Sequence, residues 1–163
     1  MYNMNEEKNI LILSDLNTHL ENQLLKSLEF KPGKVMTINS YQAEISHAYG
    51  DVMRSIIIAI YQYDVHEIYI IGSSAHMHTI ELPKSIVNNT EKIKTLDYLF
   101  RNCKPEFSSD NIVDWLNGEN DIDKSLKASV NHISNHPFIP IGIKINGVKI
   151  KKNETEVVIE QTT

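Results

Sequence analysis

The stretch Tyr49–Met77, YGDVMRSIIIAIYQYDVHEIYIIGSSAHM, constrains the fold more than any other part of the chain. Gly50 and Asp51 open a helix, and Met53, Ile56, Ile57 and Ile60 recur at i, i+3, i+4 and i+7, so they share one face. Ile58 and Ala59 make the opposite side apolar too, which predicts a helix buried on more than one side. After a polar turn at Asp64, Glu67–Ile71 is a β-branched and aromatic run, as a strand covered on both faces requires. It ends at Gly72 and releases Ser73-Ser74-Ala75-His76. A polar loop leaving the C-terminal end of a central strand is where open α/β sheets place their chemistry.

The remaining segments fit around that unit. Residues 1–8 are polar and expected to be flexible. Asn9–Ser14 (NILILS) reads as a first buried strand, and Thr18–Leu28 as a helix with Leu20, Leu24, Leu25 and Leu28 at helical spacing. Asn17 or Thr18 would cap that helix, with Glu21 in its first turn. Lys31-Pro32-Gly33 is a turn, Lys34–Asn39 a second strand and Ser40–Ala48 an irregular loop. Strand, helix, strand, helix, strand predicts a parallel sheet with right-handed crossovers. Beyond His76, Met77–Asp97 is polar and takes no clear assignment, although Ile93–Asn102 has a helical pattern. Asp110–Asn117 and Asp121–Ser134 read as helices, capped by Ser109 or Asp110 and by Asn120 or Asp121. His136–Pro140 reads as a stiff extended link, Ile141–Asn146 as a fourth strand, Gly147 as part of a turn and Glu156–Glu160 as an edge strand.

Composition narrows the function classes. A chain of 163 residues suits one domain, 1–163, with one sizeable core. The net charge of -5 argues against a nucleic-acid partner. The apolar run Ile56–Tyr63 is far too short to span a bilayer, and MYNMNEEKN lacks the basic and apolar regions of a signal peptide. The single cysteine, Cys103, leaves no internal disulfide and no zinc site built from two cysteines of this chain. Together these features point to the cytoplasm.

The order of motifs resembles one family. Gly50–Ile71 is similar to the segment of beta-carbonic anhydrases that runs into their GH-x-x-CG loop. Asp15-Leu16-Asn17-Thr18-His19-Leu20 lies where that family has C-M-D-x-R-L, and Ser40-Tyr41-Gln42 where it has N-A-G. Ile112–Pro140 resembles its C-terminal helices and HP-L-x-P link, and Ile143–Gly147 its fourth strand. The likeness covers nearly the whole chain and is closest to the short bacterial members. It implies a three-layer, doubly wound, mainly parallel sheet of order 2-1-3-4 with an antiparallel fifth strand. The ends of strands 1 and 3 would then form a crevice containing Asp15, Asn17, Ser73 and His76. It also implies a homodimer or larger homo-oligomer, with the central helix and N-terminal region at the interface.

The resemblance breaks at the chemistry. The family holds zinc through a cysteine, a histidine and a second cysteine, and the matching positions here are Asp15, Ser73 and His76. The family's aspartate becomes Asn17, its arginine partner His19, the second glycine of the loop Met77 and the glycine of N-A-G Gln42. Zinc must lower the pKa of its bound water for hydroxide to attack carbon dioxide, and thiolates supply much of the affinity. Asp15 and His76, with His78 as a third donor, would make at most a weak site for zinc or another divalent metal. The competing reading is an Asp15–His76 ion pair filling the old cavity. The expectation is therefore no cofactor and a degenerate, non-catalytic member that binds a small anion such as bicarbonate or acts on a partner. The alternative is an active carbonic anhydrase with a metal site rebuilt on Asp15 and His76. The expected pocket comprises Ser40, Gln42, His47, Ser73 and Ser74. His136 and Arg54 read as structural, His66 as a surface residue, and Cys103 as a partly buried small residue. Ser73 and Ser74 lack the second glycine of a nucleophile elbow.

Overall fold

A computed structural model describes residues 7–16, 19–74, 81–103, 109–152 and 154–163. The described residues form a five-stranded sheet of order β2-β1-β3-β4-β5. These strands are β1 (Asn9–Ser14), β2 (Val35–Asn39), β3 (Val65–Ser73), β4 (Lys144–Lys151) and β5 (Glu154–Thr162). The first four are parallel and β5 is antiparallel to β4. The helices are α1 (Glu21–Ser27), α2 (Asp51–Tyr63), α3 (Lys84–Val87), α4 (Thr90–Asn102), α5 (Ile112–Asn117) and α6 (Ile122–Ser134).

Alternation along the buried strands divides the core in two. Leu11, Leu13, Ile68, Ile70 and Ile145 pack with Met53 and Ile56 of α2 and with Leu126 and Val130 of α6. On the other face Ile10, Ile12, Tyr69, Ile71 and Val148 meet Leu24 of α1. Among the described residues one seven-residue helix packs on the second face, whereas α2 and α6, of 13 residues each, close the first.

Several boundaries differ from the sequence expectation. Helix α1 spans Glu21–Ser27, not Thr18–Leu28; its cap position is Leu20, which makes no side-chain cap bond. Asn17 and Thr18, the expected caps, lie outside the described residues. Leu28 is already extended, which lets Phe30 fold back onto the second core. A short 3-10 turn, Tyr41–Ala43, interrupts the loop before α2. Helix α2 begins after Gly50 as expected but is covered on one side only: Ile58 is 48% exposed and Tyr61 59%. The polar segment after residue 80 forms α3 and α4, and α4 starts three residues before Ile93 because Asn89 caps it, accepting the Lys92 N–H. Helix α5 is capped by Asn111 rather than by Ser109 or Asp110, whereas Asp121 caps α6 as expected.

The fourth strand is displaced most. It runs from Lys144 to Lys151, not from Ile141 to Asn146, and Gly147 stands in its middle, paired with Ile70 and Ile159. A Cβ at Gly147 would sit 2.7 Å from Ile159 Cγ2 and 3.3 Å from Leu126 Cβ, so the glycine admits α6 against the sheet. Gly72 does the same under Ile122, and β3 therefore continues through it to Ser73. The expected stiff link after His136 is a turn, closed by the Ile139 N–H donating to the His136 carbonyl at 3.1 Å. No helix among the described residues is long and apolar enough to cross a membrane.

Candidate functional site

Parallel pairing carries β1 and β3 side by side as far as Leu13 and Ile70, so Asp15 and Ser73 emerge at neighbouring strand ends. The segment after β2 folds over the same edge: the Ser40 N–H donates to the Ser14 carbonyl at 3.0 Å, and Asn39 Nδ2 to the Asp15 carbonyl at 3.1 Å. The tertiary fold thus gathers Asp15, Ser40, Gln42 and Ser73 at one strand-end crevice. Ser74 follows Ser73 in an exposed turn. Asn17, His76 and His78 lie outside the described residues, and with them the expected pairing of Asp15 with His76.

Asp15 has a visible job in this edge. Its Oδ1 accepts the N–H groups of Leu16 and Gln42, both at 2.7 Å. Such charge-assisted bonds are about twice as strong as neutral ones, so they fasten the loop after β1 to the loop after β2. Gln42 is 7% exposed and left-handed, with φ 56° and ψ 15°, and Ala43 follows at φ 51°. A residue with a side chain pays about 1–2 kcal/mol for that region. The sequence resemblance sets a family glycine at position 42, and the backbone shows why glycine suits it.

The polar groups around Gln42 are incompletely matched. Gln42 Nε2 donates to the Tyr41 hydroxyl at 3.1 Å, but Gln42 Oε1 and Ser40 Oγ are buried with no partner among the described residues. Burial, and then the charge of Asp15, push the Tyr41 hydroxyl above its ordinary range. On the far side of Gln42 stands Glu44, whose Oε2 accepts the Glu119 N–H at 3.1 Å. Burial pushes its carboxyl up and the neighbouring Glu119 charge adds to this, against the Glu119 hydrogen bond and His132. Gly118, at φ 69°, closes over both side chains; a Cβ there would strike Glu44 Oε2 and Gln42 Oε1.

Three other histidines, His132, His136 and His47, hydrogen-bond the backbone of the scaffold. His132 Nδ1 donates to the Ile45 carbonyl at 2.8 Å, while Ser129 Oγ accepts the Ile45 N–H at 3.1 Å, so α6 grips the approach to α2. His136 is buried and its Nδ1 accepts the Phe138 N–H at 3.2 Å. His47 is half-buried before α2, where its Nδ1 accepts the Tyr49 N–H at 3.0 Å. His19 is exposed and lines a shallow hollow with Asn22, Lys26 and Thr155, on the α1 side of the molecule. Arg54 is exposed beside Asp51 and Ile58 in a groove between α2 and β2.

Glu67 and Glu44 were not singled out by the sequence. Glu67 opens an otherwise apolar run, and a carboxylate at an inward strand position, two residues before Tyr69, was the available signal. No pattern marked Glu44, whose burial depends on Gly118, 74 residues away.

A sheet of order 2-1-3-4 with an antiparallel fifth strand, and a crevice where strands 1 and 3 end, defines a doubly wound α/β protein. The chain is 41% identical over 147 residues to YbcF of Bacillus subtilis strain 168, a protein named as carbonic anhydrase-like; the match covers 90% of this chain and 83% of that one. Its fold is similar to that of the beta-carbonic anhydrase TvaCA1 of Trichomonas vaginalis, with a TM-score of 0.65, 21% identity and coverage of 98% and 87%. It is also similar to a tetrameric beta-carbonic anhydrase of Sordaria macrospora, with a TM-score of 0.58, 14% identity and coverage of 96% and 84%. No family model matches the sequence. The protein belongs to the beta-carbonic anhydrase family.

The two described residues at the family's metal positions, Asp15 and Ser73, do not by themselves make a zinc site; the third position, His76, lies outside the described residues. Asp15 spends one carboxylate oxygen on two backbone N–H groups, and the Ser73 hydroxyl is a poor zinc ligand at neutral pH. Among the described residues no three His, Cys, Asp or Glu side chains gather to hold a metal ion.

Proposed function

We propose that this protein is a non-catalytic member of the family, whose strand-end crevice has become a structural junction and which acts through its surface on a partner. The observation that carries this reading is Asp15 Oδ1 accepting the Leu16 and Gln42 N–H groups at 2.7 Å each. At that position the family presents a metal-binding thiolate, as the sequence resemblance implies; here a carboxylate ties two loops together. Of the two non-catalytic roles, partner binding is favoured over capture of an anion such as bicarbonate. An anion wants donors, and the described crevice sets the Asp15 carboxylate and the unpaired Gln42 oxygen against the single unpartnered hydroxyl of Ser40. Exposed Ile58, Tyr61 and Tyr63 on α2 suit a homo-oligomer, as the Sordaria protein is a tetramer, and a cytoplasmic home accords with the composition.

The test is elemental analysis of the purified protein together with its carbon dioxide hydration rate and a bicarbonate titration followed by amide NMR. The reading expects well under one zinc per chain, hydration at the uncatalysed rate and no saturable shift at the Asp15 or Gln42 amides. Stoichiometric zinc with accelerated hydration would establish an active enzyme with a rebuilt site. Saturable bicarbonate shifts without zinc would replace the partner by a small anion.

A further inference from the structure

A second cavity, of about 350 Å³, lies on the face of the sheet that α1 only partly covers. Its floor follows from strand register. Glu67 and Tyr69 of β3 point to one side, and their β4 partners Lys144 and Asn146 point with them. Helix α1 ends at Ser27, and Leu28, Glu29 and Phe30 then form one wall of the cavity, with Thr155, Val157 and Glu160 of β5 on the other.

Glu67 is 2% exposed, yet its hydrogen bonds are one-sided. Oε1 accepts from the Tyr69 hydroxyl at 2.8 Å and from Asn146 Nδ2 at 3.4 Å, and Lys144 Nζ stands 3.5 Å away. Oε2 has no hydrogen-bond partner among the described residues, and Glu67 lines the cavity. A carboxylate accepts through both oxygens, so Oε2, which is not sealed from solvent, is available to a donor in the cavity. Glu29 and Glu160 join it in the lining, while Lys144, 3.0 Å from Glu160, is the one ammonium there. The cavity therefore keeps an excess of two negative charges. Its remaining walls are mixed, apolar at Leu24, Leu28, Phe30, Val148 and Val157 and polar at Ser27 and Thr155.

We infer that this cavity binds a small organic cation, a primary ammonium on a compact apolar body, with Glu67 Oε2 taking the ammonium protons. The charge disfavours anions. The absence of any three metal-ligating side chains gathered among the described residues disfavours a bare metal ion. The apolar part of the wall, Leu24, Leu28, Phe30 and Val157, gives the organic portion its contact, and the volume falls at the small end of ligand pockets. This site stands on a face of the sheet and is independent of the crevice at its strand ends.

The probe is 2-phenylethylamine, titrated into the full chain with amide NMR as the readout, beside neutral 2-phenylethanol and anionic phenylacetate. The amine is expected to give saturable shifts at Glu67, Tyr69 and Asn146, the alcohol to bind at least about tenfold more weakly, and phenylacetate not to bind. Glu67→Gln keeps an acceptor for Tyr69 and is expected to weaken the amine about tenfold or more. Val157→Lys sets a competing charge at an exposed position on the cavity wall and decides the matter even if Glu67→Gln fails to fold. It is expected to weaken the amine about tenfold with an unchanged melting temperature. Equal binding of amine and alcohol, wild-type affinity in Val157→Lys, or no amine shifts up to about 10 mM would overturn the proposal.

Discussion

In the middle of the sheet Ile68, Ile70 and Ile145 are wholly shielded, and two glycines, Gly72 and Gly147, are spent on letting α6 approach. A few residues further along the same strands the construction changes. The rim around Asp15 holds two consecutive left-handed residues with side chains, Gln42 and Ala43. It also holds two buried oxygens without partners and, next to them, a carboxyl pushed up by burial. Such defects cost free energy and persist where surrounding structure over-determines them, as functional sites do. Here the rim lies at the strand ends of a doubly wound sheet, where such folds place their binding sites. The scaffold is closely packed, while the rim carries at Gln42 a backbone conformation that suits glycine, the residue the sequence resemblance implies at that position.

The contrast can be broken or sharpened by substitution. Ile145→Ala, in the shielded centre, is expected to cost roughly 2–5 kcal/mol, read as a shift of the urea midpoint. A loss much smaller than that would mean the centre is as loosely built as the rim. Gln42→Gly should move stability the other way, by about 1 kcal/mol. It relieves the left-handed strain and removes the orphan oxygen, against the entropy of a glycine and the lost contacts of the side chain. A destabilised Gln42→Gly would show that the glutamine side chain is itself a needed filler.

The smallest effect concerns pH. The Glu44 carboxyl is raised above its ordinary value of 4.5 in the folded protein, so the native state holds the proton more tightly than the unfolded chain. Its contribution to stability is complete below about pH 4.5 and is lost as pH rises through the raised value. Glu44→Gln should remove that part of the decline, while its amide oxygen still accepts the Glu119 N–H. Melting temperatures of both proteins from acid to neutral pH test this, and parallel curves would show that Glu44 titrates as an ordinary surface group.

What periodicity could read was local and covalently close. Helix α2 with its Gly50 start, the body of β3, β1 as Asn9–Ser14 and the length of α6 all follow from apolar spacing within one segment. The motif order carried the resemblance, and with it the sheet order and the exchange of the zinc-binding residues, which is a matter of identity alone. The crevice was legible only as a set of positions. The sequence brought Asp15, Gln42 and Ser73 to one edge but did not say that Asp15 would be held by the Gln42 backbone.

The rest depended on register between distant strands. Gly147 looks like a turn residue until β4 is laid between β3 and β5 and α6 comes down on it. Glu67 looks like the polar start of a strand until Tyr69 and Asn146 enclose it. Ile58 looks buried until the helix is seen to have a neighbour on one side only. Residue identity and spacing thus determined which elements exist and which residues stand at the positions the resemblance assigns to the metal, because both are properties of the chain itself. Only the tertiary structure decided which polar groups are buried and with whom, because burial and pairing belong to surfaces that meet across the sheet.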